Sequence, residues 1–86
     1  MTAIDRSVGG LGEPAVYSDA ISPSDDDELA TVSRALFVGG AGDVAVVMLS
    51  GDAVTYAGVT AGSFLPIRVK QVKATGTTAT LILNLY

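Results

Sequence analysis

The stretch that decides the fold is residues 43–59, DVAVVMLSGDAVTYAGV, which consists of two apolar runs joined by a compact turn. Residues 43–49 and 54–59 are rich in valine, whose branched side chain favours the pleated backbone of a strand over a helix. Between them, Ser50-Gly51-Asp52-Ala53 is typical of a tight turn that joins paired strands. The sequence therefore predicts an antiparallel β-hairpin here.

Three further runs surround this hairpin, and glycine-containing turns separate them. A short strand is predicted at residues 35–38, a long one at residues 64–74 and a last one at residues 79–85. About five strands, with a turn every 8–12 residues or so, are the pattern of a small antiparallel β-sandwich or barrel. In the long run the apolar phase shifts after Gln71, which indicates a bulge or a strand end nearby.

Charge divides the chain near residue 29. Residues 1–28 carry seven acidic residues and one basic residue, a net charge of −6, whereas residues 29–86 carry two acidic and four basic residues, a net charge of +2. We therefore expect an extended acidic N-terminal arm at residues 1–28, followed by a β-domain at residues 29–86. The arm is either a solvated tail or a segment that becomes ordered against a partner. Residues 25–33 are either one helical turn or an acidic loop.

Composition excludes most enzymatic chemistry. The 86 residues include no cysteine and no histidine, so a disulfide, a thiolate zinc site and a histidine base are impossible. The net charge of −4 argues against a nucleic-acid partner. The longest purely apolar run, residues 44–49, is far shorter than the roughly 20 residues that span a bilayer, and no signal peptide is visible. We expect no enzymatic activity, no cofactor, no membrane contact and assembly in a reducing cytoplasm.

Three motifs that suggest a ligand each have a simpler explanation. The acidic run at residues 25–28 lacks the spacing of a calcium loop, so we expect no metal site there. The glycines at residues 39–42 precede a strand rather than a helix, which favours a tight turn over a phosphate-binding loop. Arg68, Lys70 and Lys73 form a basic patch that is either solvated or paired with the acidic arm, its own or a neighbour's. Nucleic-acid binding would need more charge.

The apolar surface exceeds what a small domain can bury. Strand 43–49 is apolar on both faces, and alternation places Leu81, Leu83 and Leu85 on the face of the last strand opposite Ile82 and Tyr86. A core of about 50 residues is marginal without a disulfide or a metal, and oligomerisation is the remaining common device. The second apolar set would pack on the arm, on another copy or on a different protein, and we predict a homo-oligomer. The predicted interaction residues are Val16, Tyr17, Ile21, Val44, Val46, Met48, Arg68, Lys70, Ile82 and Tyr86.

Three stretches resemble a known family of virion proteins. They are RALFVGGAGDVAVV at residues 34–47, VTYAGVTAGSFLPIRVKQVKATGTTAT at residues 54–80 and the ending LILNLY at residues 81–86. In this order they are similar to the small capsid-surface or head-spike base proteins of tailed phages and gene transfer agents. Residues 1–21 have no counterpart that we can place.

The resemblance implies a β-rich, non-enzymatic subunit assembled on the head surface of the virion. Its partners would be further copies of itself and the major capsid protein or other head and spike proteins, and assembly would occur in the host cytoplasm. It implies no catalytic residue. The alternative is a tail fibre, baseplate or host-glycan-binding module.

Overall fold

The computed structural model describes residues 17–86, which form seven β-strands and no helix. The all-β prediction is confirmed, with two more strands than the five expected. None of the described residues forms a helix that could cross a membrane. The strands are β1 (Ser18–Ala20), β2 (Ala35–Gly40), β3 (Gly42–Met48), β4 (Ala53–Val59), β5 (Ser63–Leu65), β6 (Val69–Val72) and β7 (Thr80–Leu85).

The strands form two antiparallel sheets that pack face to face as a sandwich. One sheet has four strands in the order β1-β7-β2-β5, and the other has three in the order β4-β3-β6. The core between them combines residues of both sheets, because their inner faces are almost entirely aliphatic. Its main members are Leu36, Val38, Ile82, Val44, Val46, Val69 and Val72.

The hairpin predicted at residues 43–59 is confirmed. In the β3–β4 pair, Val46 lies opposite Val54 and Val47 lies opposite Ala53. The connecting turn contains Gly51 with a φ of 103°. Glycine adopts this left-handed conformation without the steric cost that a Cβ brings. The turn signal in the sequence therefore has a direct backbone cause.

The single long strand predicted at residues 64–74 is wrong. The chain forms β5 and β6 instead, and Pro66 follows directly after β5. Proline has no N–H to donate to a sheet ladder. β5 pairs with β2 in one sheet and β6 pairs with β3 in the other. The chain therefore crosses between the sheets in the region of this proline.

The irregularity predicted near Gln71 is confirmed as a bulge in β6. Val47 pairs with Gln71 but the next residue, Met48, pairs with Val69, so Lys70 is the extra residue. A bulge shifts the alternation of side chains by one residue. Val69 and Val72, three positions apart, can therefore both enter the core.

Residues 17–28, assigned to the arm, are hydrogen-bonded to the β-domain rather than projecting from it. The Ser24 N–H donates to the Val72 carbonyl over 2.9 Å, and the Leu29 N–H donates to the Lys70 carbonyl over 2.8 Å. The Leu29 N–H is therefore bonded to β6 and not to a carbonyl within its own segment. Of the two alternatives for residues 25–33, a loop forms and a helical turn does not. Instead, the hydroxyl of Ser24 accepts the N–H groups of Asp26 and Asp27 in a local turn. The rest of the predicted arm lies outside the described residues.

The outer side of β3 is partly covered by the chain's own loop at residues 73–78. The Ala45 N–H donates to the Thr77 hydroxyl over 3.0 Å, and the Ala45 carbonyl accepts the Lys73 N–H over 2.8 Å. Gly76, with a φ of 92°, lets this loop lie close to the strand. Ala45 is buried as a result, so this part of β3 needs no partner chain to cover it.

Candidate docking surface

The outer face of the four-stranded sheet is apolar across its width. The strand register places Ala20, Leu83, Phe37 and Phe64 in one row across β1, β7, β2 and β5. Residues directly opposite each other on neighbouring strands present their side chains on the same face. Val38, the next residue on β2, is fully buried in the core. The row therefore faces away from the core.

Two further positions extend this row. Leu85 lies opposite Ala35 on the same face, and Leu81 lies beside Gly39. Leu81 is 75% exposed and Phe64 is 59% exposed, the highest values among the described large apolar residues. We call this surface the outer apolar face, and its accessible members are Ala20, Phe37, Phe64, Leu81, Leu83 and Leu85, whereas Ala35 is only 4% exposed.

Leu81 has an unusual backbone as well as an exposed side chain. Its φ is 53°, and it is the only described residue other than glycine with a positive φ. For a residue with a Cβ, the left-handed conformation costs about 1–2 kcal/mol. Such strain persists where the surrounding structure enforces it, and it is frequent at functional sites. Because Leu81 is 75% exposed, its side chain gains little from burial in the isolated subunit.

The chemistry of the outer apolar face suits docking rather than catalysis. None of its members carries a charge or a titratable group. Soluble monomers rarely expose large contiguous apolar patches, and such patches mark interaction sites. A nearby cavity of about 130 Å³ is smaller than the roughly 300 Å³ at which ligand pockets begin. It is lined by Asp19, Ala20, Ile21, Leu29, Ala30, Thr31 and Asn84.

Three predicted interaction residues are core residues instead. Val44 and Val46 are 0% exposed and Ile82 is 3% exposed, so they cannot contact another chain. Ile21 and Met48 are partly buried against the same core. Alternation separates the two faces of a strand but does not say which face turns inward. For β7 the inner face carries Ile82, and the outer one carries Leu81, Leu83 and Leu85.

The sequence prediction missed the residues that make up the outer apolar face. The alternating leucines of residues 81–86 indicated that this strand has two apolar faces. The prediction placed Ile82 on the interacting face, whereas the structure buries Ile82 and turns Leu81 outward. Phe37 and Phe64 gave no comparable signal, because each lies in a short run without clear alternation. Only the pairing of β2 with both β5 and β7 brings these aromatic residues beside the leucines.

Tyr17 and Tyr86 lie together at the end of the sheet. Their backbones exchange two hydrogen bonds, of 2.6 and 2.9 Å, and their rings stack with centroids 5.3 Å apart. The Tyr86 hydroxyl donates to the carboxylate of Asp19. Tyr17 remains 55% exposed. This pair ties β1 to β7, and it leaves an aromatic surface beside the point at which the described residues begin. Val16 lies outside them.

The predicted basic patch is partly paired with the acidic segment of the same chain. The Lys70 ammonium lies 3.9 Å from the carboxylate of Glu28. Both side chains are about one third exposed, and such a surface pair contributes about 0–1 kcal/mol. Arg68 is half-buried, and its Nε atom has almost no exposed surface. Neither residue belongs to the outer apolar face.

Asp25 connects the acidic segment to the loop over β3. Its carboxylate accepts the hydroxyl and the backbone N–H of Thr75, the latter over 3.0 Å. These hydrogen bonds stabilise the charged form and, with the Lys73 charge, lower the pKa of Asp25 below its usual value of 3.8. The carboxylate is therefore used as a structural link. No group of three or more possible metal-ligating side chains occurs within residues 17–86.

A solved structure of a gene transfer agent contains a chain with the same fold. It is the capsid of a native gene transfer agent particle, reconstructed with C5 symmetry, and its chain superimposes with a TM-score of 0.82. The two sequences are 42% identical over 94% of this chain and 93% of that chain. The protein belongs to the family of this gene transfer agent capsid chain. The predicted resemblance is confirmed at that level, and the narrower assignment to head-spike base proteins stays a prediction.

Comparisons with family models and with curated proteins identify no further relative. No family model matches the sequence. No curated protein matches it either. The family assignment therefore depends on the agreement of sequence and fold with the gene transfer agent chain.

Proposed function

We propose that the protein is a non-enzymatic structural protein on the head surface of a phage or gene transfer agent particle, as a head-spike base, decoration or cement subunit. The observation that carries this proposal is the 42% identity, over nearly the whole length of both chains, with a chain in a gene transfer agent capsid. The outer apolar face is a surface through which such a subunit could bind its neighbours. It carries no charged or titratable side chain that would favour another role.

In this proposal the outer apolar face packs against the major capsid protein or another head or spike protein. Leu81 and Phe64 would lose most of their exposed area in that contact. Burial of apolar area stabilises a complex by about 25 cal/mol per Å² before the entropic costs of association. The uncharged character of the face favours a partner surface that is also apolar.

Several copies of the protein would surround a symmetry axis. The related capsid was reconstructed with C5 symmetry, which fits a small ring of copies around a fivefold axis of the head. Head-surface assembly requires no contact with packaged nucleic acid, and the net charge of −4 opposes such a contact. No membrane is involved, and the subunits would assemble with the head in the host cytoplasm.

Particle reconstruction tests the proposal directly. Particles would be purified from a strain that carries the gene and from a matched deletion strain, and their density maps would be subtracted. We expect difference density on the outside of the head that accommodates the two-sheet subunit. Mass spectrometry of separated heads and tails would give the same answer independently. Difference density confined to the tail would refute the head assignment and favour a fibre, baseplate or glycan-binding role.

A further inference from the structure

The two sheets have four edges, and two of them are protected. Residues 24–33 cover β6, because Leu29 donates to the Lys70 carbonyl and Ser33 donates to the Val69 carbonyl over 3.1 Å. β5 is followed directly by Pro66, which has no N–H to continue a strand ladder. Coverage and proline are two of the usual means by which proteins prevent unwanted strand pairing.

The third edge, β4, is open along most of its length. The N–H and C=O groups of Ala45 on β3 point toward the Thr77 hydroxyl and the Lys73 N–H, on the β6 side. Backbone groups alternate in direction along a strand. Val44 and Val46 therefore direct theirs toward β4.

The register between β3 and β4 determines which residues of β4 direct their backbone groups outward. Tyr56 and Val54 are the partners of Val44 and Val46, so their backbone groups point inward. Ala53, Thr55 and Ala57 direct their N–H and C=O groups away from β3, and all three residues are exposed. Within residues 17–86, no strand pairs with this side of β4. β4 also contains no charged residue and no proline, the features that would discourage a partner strand.

Within residues 17–86 the fourth edge, β1, has no partner strand either. Tyr17 exchanges both backbone hydrogen bonds with Tyr86, and Ile21 donates to the carbonyl of Ile82. By the same alternation, Ser18 and Ala20 direct their backbone groups away from β7. Both residues are exposed and have small, uncharged side chains.

The two open edges lie on opposite sides of the subunit. Ser24, four residues after the end of β1, is bonded to β6, so the β1 and β6 edges lie on the same side of the sandwich. β4 is at the other end of the three-stranded sheet from β6. A contact between β4 of one copy and β1 of another therefore joins two different surfaces. Such a head-to-tail contact repeats from copy to copy and closes into a ring when the rotation between neighbours permits.

We infer that β4 of one subunit pairs with β1 of a second copy. In this pairing the outward N–H and C=O groups of Thr55 in one subunit would form hydrogen bonds with those of Ser18 and Ala20 in the other. Every side chain at these positions is small, so the two backbones can approach to the roughly 4.8 Å of neighbouring strands. The pairing goes beyond the proposed function, because it describes how copies join each other whether or not they sit on a particle.

Disulfide cross-linking tests which edges meet. The chain has no cysteine, so engineered cysteines have no competitors. Full-length Thr55→Cys and Ala20→Cys proteins would be mixed under mild oxidation, and each would also be oxidised alone. We expect a covalent dimer mainly in the mixture, and little from Ala61→Cys, an exposed loop control. A Thr55→Cys dimer that forms equally well alone would indicate twofold β4–β4 pairing and overturn the inference.

A proline substitution tests the backbone contact itself. Thr55→Pro removes an outward N–H but no bond to β3, whereas Thr55→Val keeps the edge intact. By sedimentation velocity we expect Thr55→Val to remain oligomeric and Thr55→Pro to sediment as the 8.7 kDa subunit. An unchanged Thr55→Pro oligomer, or a wild-type protein that is monomeric at all concentrations, would overturn the inference.

Hydrogen exchange provides a readout that does not depend on the folding of a variant. In the wild-type oligomer, the amides of Thr55 and Ala57 should exchange at least about tenfold more slowly than in the dissociated subunit. Rapid exchange of both amides in the oligomer would contradict the pairing. The oligomer should also survive deletion of residues 1–16. Its loss in that variant would show that residues 1–16 are needed for assembly and would overturn pairing through β1 alone.

Discussion

Leu81 occupies space that exists only because Gly39 has no side chain. A Cβ at residue 39 would lie 2.8 Å from the Cβ of Leu81 and 3.0 Å from its carbonyl oxygen, closer than such contacts allow. The two residues lie side by side on neighbouring strands, where the glycine on β2 makes room for the most exposed leucine of β7.

Gly39→Ala should therefore displace Leu81 and distort the start of β7. Because the clash involves backbone as well as side-chain atoms, we expect a loss of about 1–3 kcal/mol in the free energy of unfolding. Urea denaturation of the purified subunit would measure it. Gly62→Ala is a control for a second glycine whose added Cβ would meet nothing within 4 Å, although its φ of 81° brings its own strain. Gly39 is not among the glycines with a positive φ, so unchanged stability of Gly39→Ala would contradict the clash with Leu81.

Leu81→Asn should separate subunit stability from docking. Asparagine tolerates the left-handed conformation better than leucine, so the subunit should gain up to about 1 kcal/mol of stability. The same change removes the most exposed side chain of the outer apolar face. If this face docks on the particle as proposed, incorporation into particles should fall. Leu81→Ala keeps the strain and is the matched control. Loss of stability together with normal incorporation would contradict a docking role for Leu81.

Phe64→Ser should weaken incorporation with little effect on folding. Its ring is 59% exposed, so its removal leaves no large cavity. Val38→Ala, on the neighbouring strand and fully buried, should instead destabilise the subunit by about 1–3 kcal/mol. Thermal melts and the copy number in purified particles would be compared for the two variants. Normal particle content of the Phe64→Ser protein would exclude this residue from the contact.

Asp25 should make the stability of the subunit depend on pH. Its pKa is lower in the folded state, because Thr75 donates two hydrogen bonds to the carboxylate. The stabilisation is thus complete above the unfolded pKa and is lost as pH falls through the lower folded pKa. The difference in Tm between wild type and Asp25→Asn should be largest above about pH 5 and vanish below the folded pKa. Asp26→Asn controls for the loss of charge, and an identical pH profile for both variants would contradict the role of Thr75.

Deletion of residues 1–21 should impair assembly more than deletion of residues 1–16. The longer deletion removes β1, which is bonded to β7 and supplies one open edge, whereas the shorter one leaves β1 in place. We expect the longer deletion to retain the core of both sheets, since its main members all lie beyond residue 31. Circular dichroism would test folding, and sedimentation would test assembly. Unchanged assembly after the longer deletion would remove β1 from the interface.

The local parts of the fold could be predicted and the non-local parts could not. The valine-rich runs and Gly51 identified the β3–β4 hairpin, because strand preference and turn geometry are properties of neighbouring residues. Pro66 could be recognised in the sequence as a residue that interrupts a strand. The change from one sheet to the other at this proline could not, because it depends on the pairing of β5 with β2 and of β6 with β3. The position of Phe37 and Phe64 beside the leucines of β7 likewise depends on pairing across the whole chain. For the same reason alternation separated the two faces of β3 and β7 but did not show which face turns inward, and Val44, Val46 and Ile82 were wrongly assigned to the outward face.

The central place of β7 also governs when the subunit can form. β1 and β2 do not pair with each other, because the last strand of the sequence lies between them. The four-stranded sheet therefore cannot form before residues 80–85 are available to pair with both β1 and β2. Leu81, Leu83 and Phe37 come together only at that point. A chain that lacks β7 therefore cannot present the outer apolar face, because this strand supplies its leucines and places them beside Phe37.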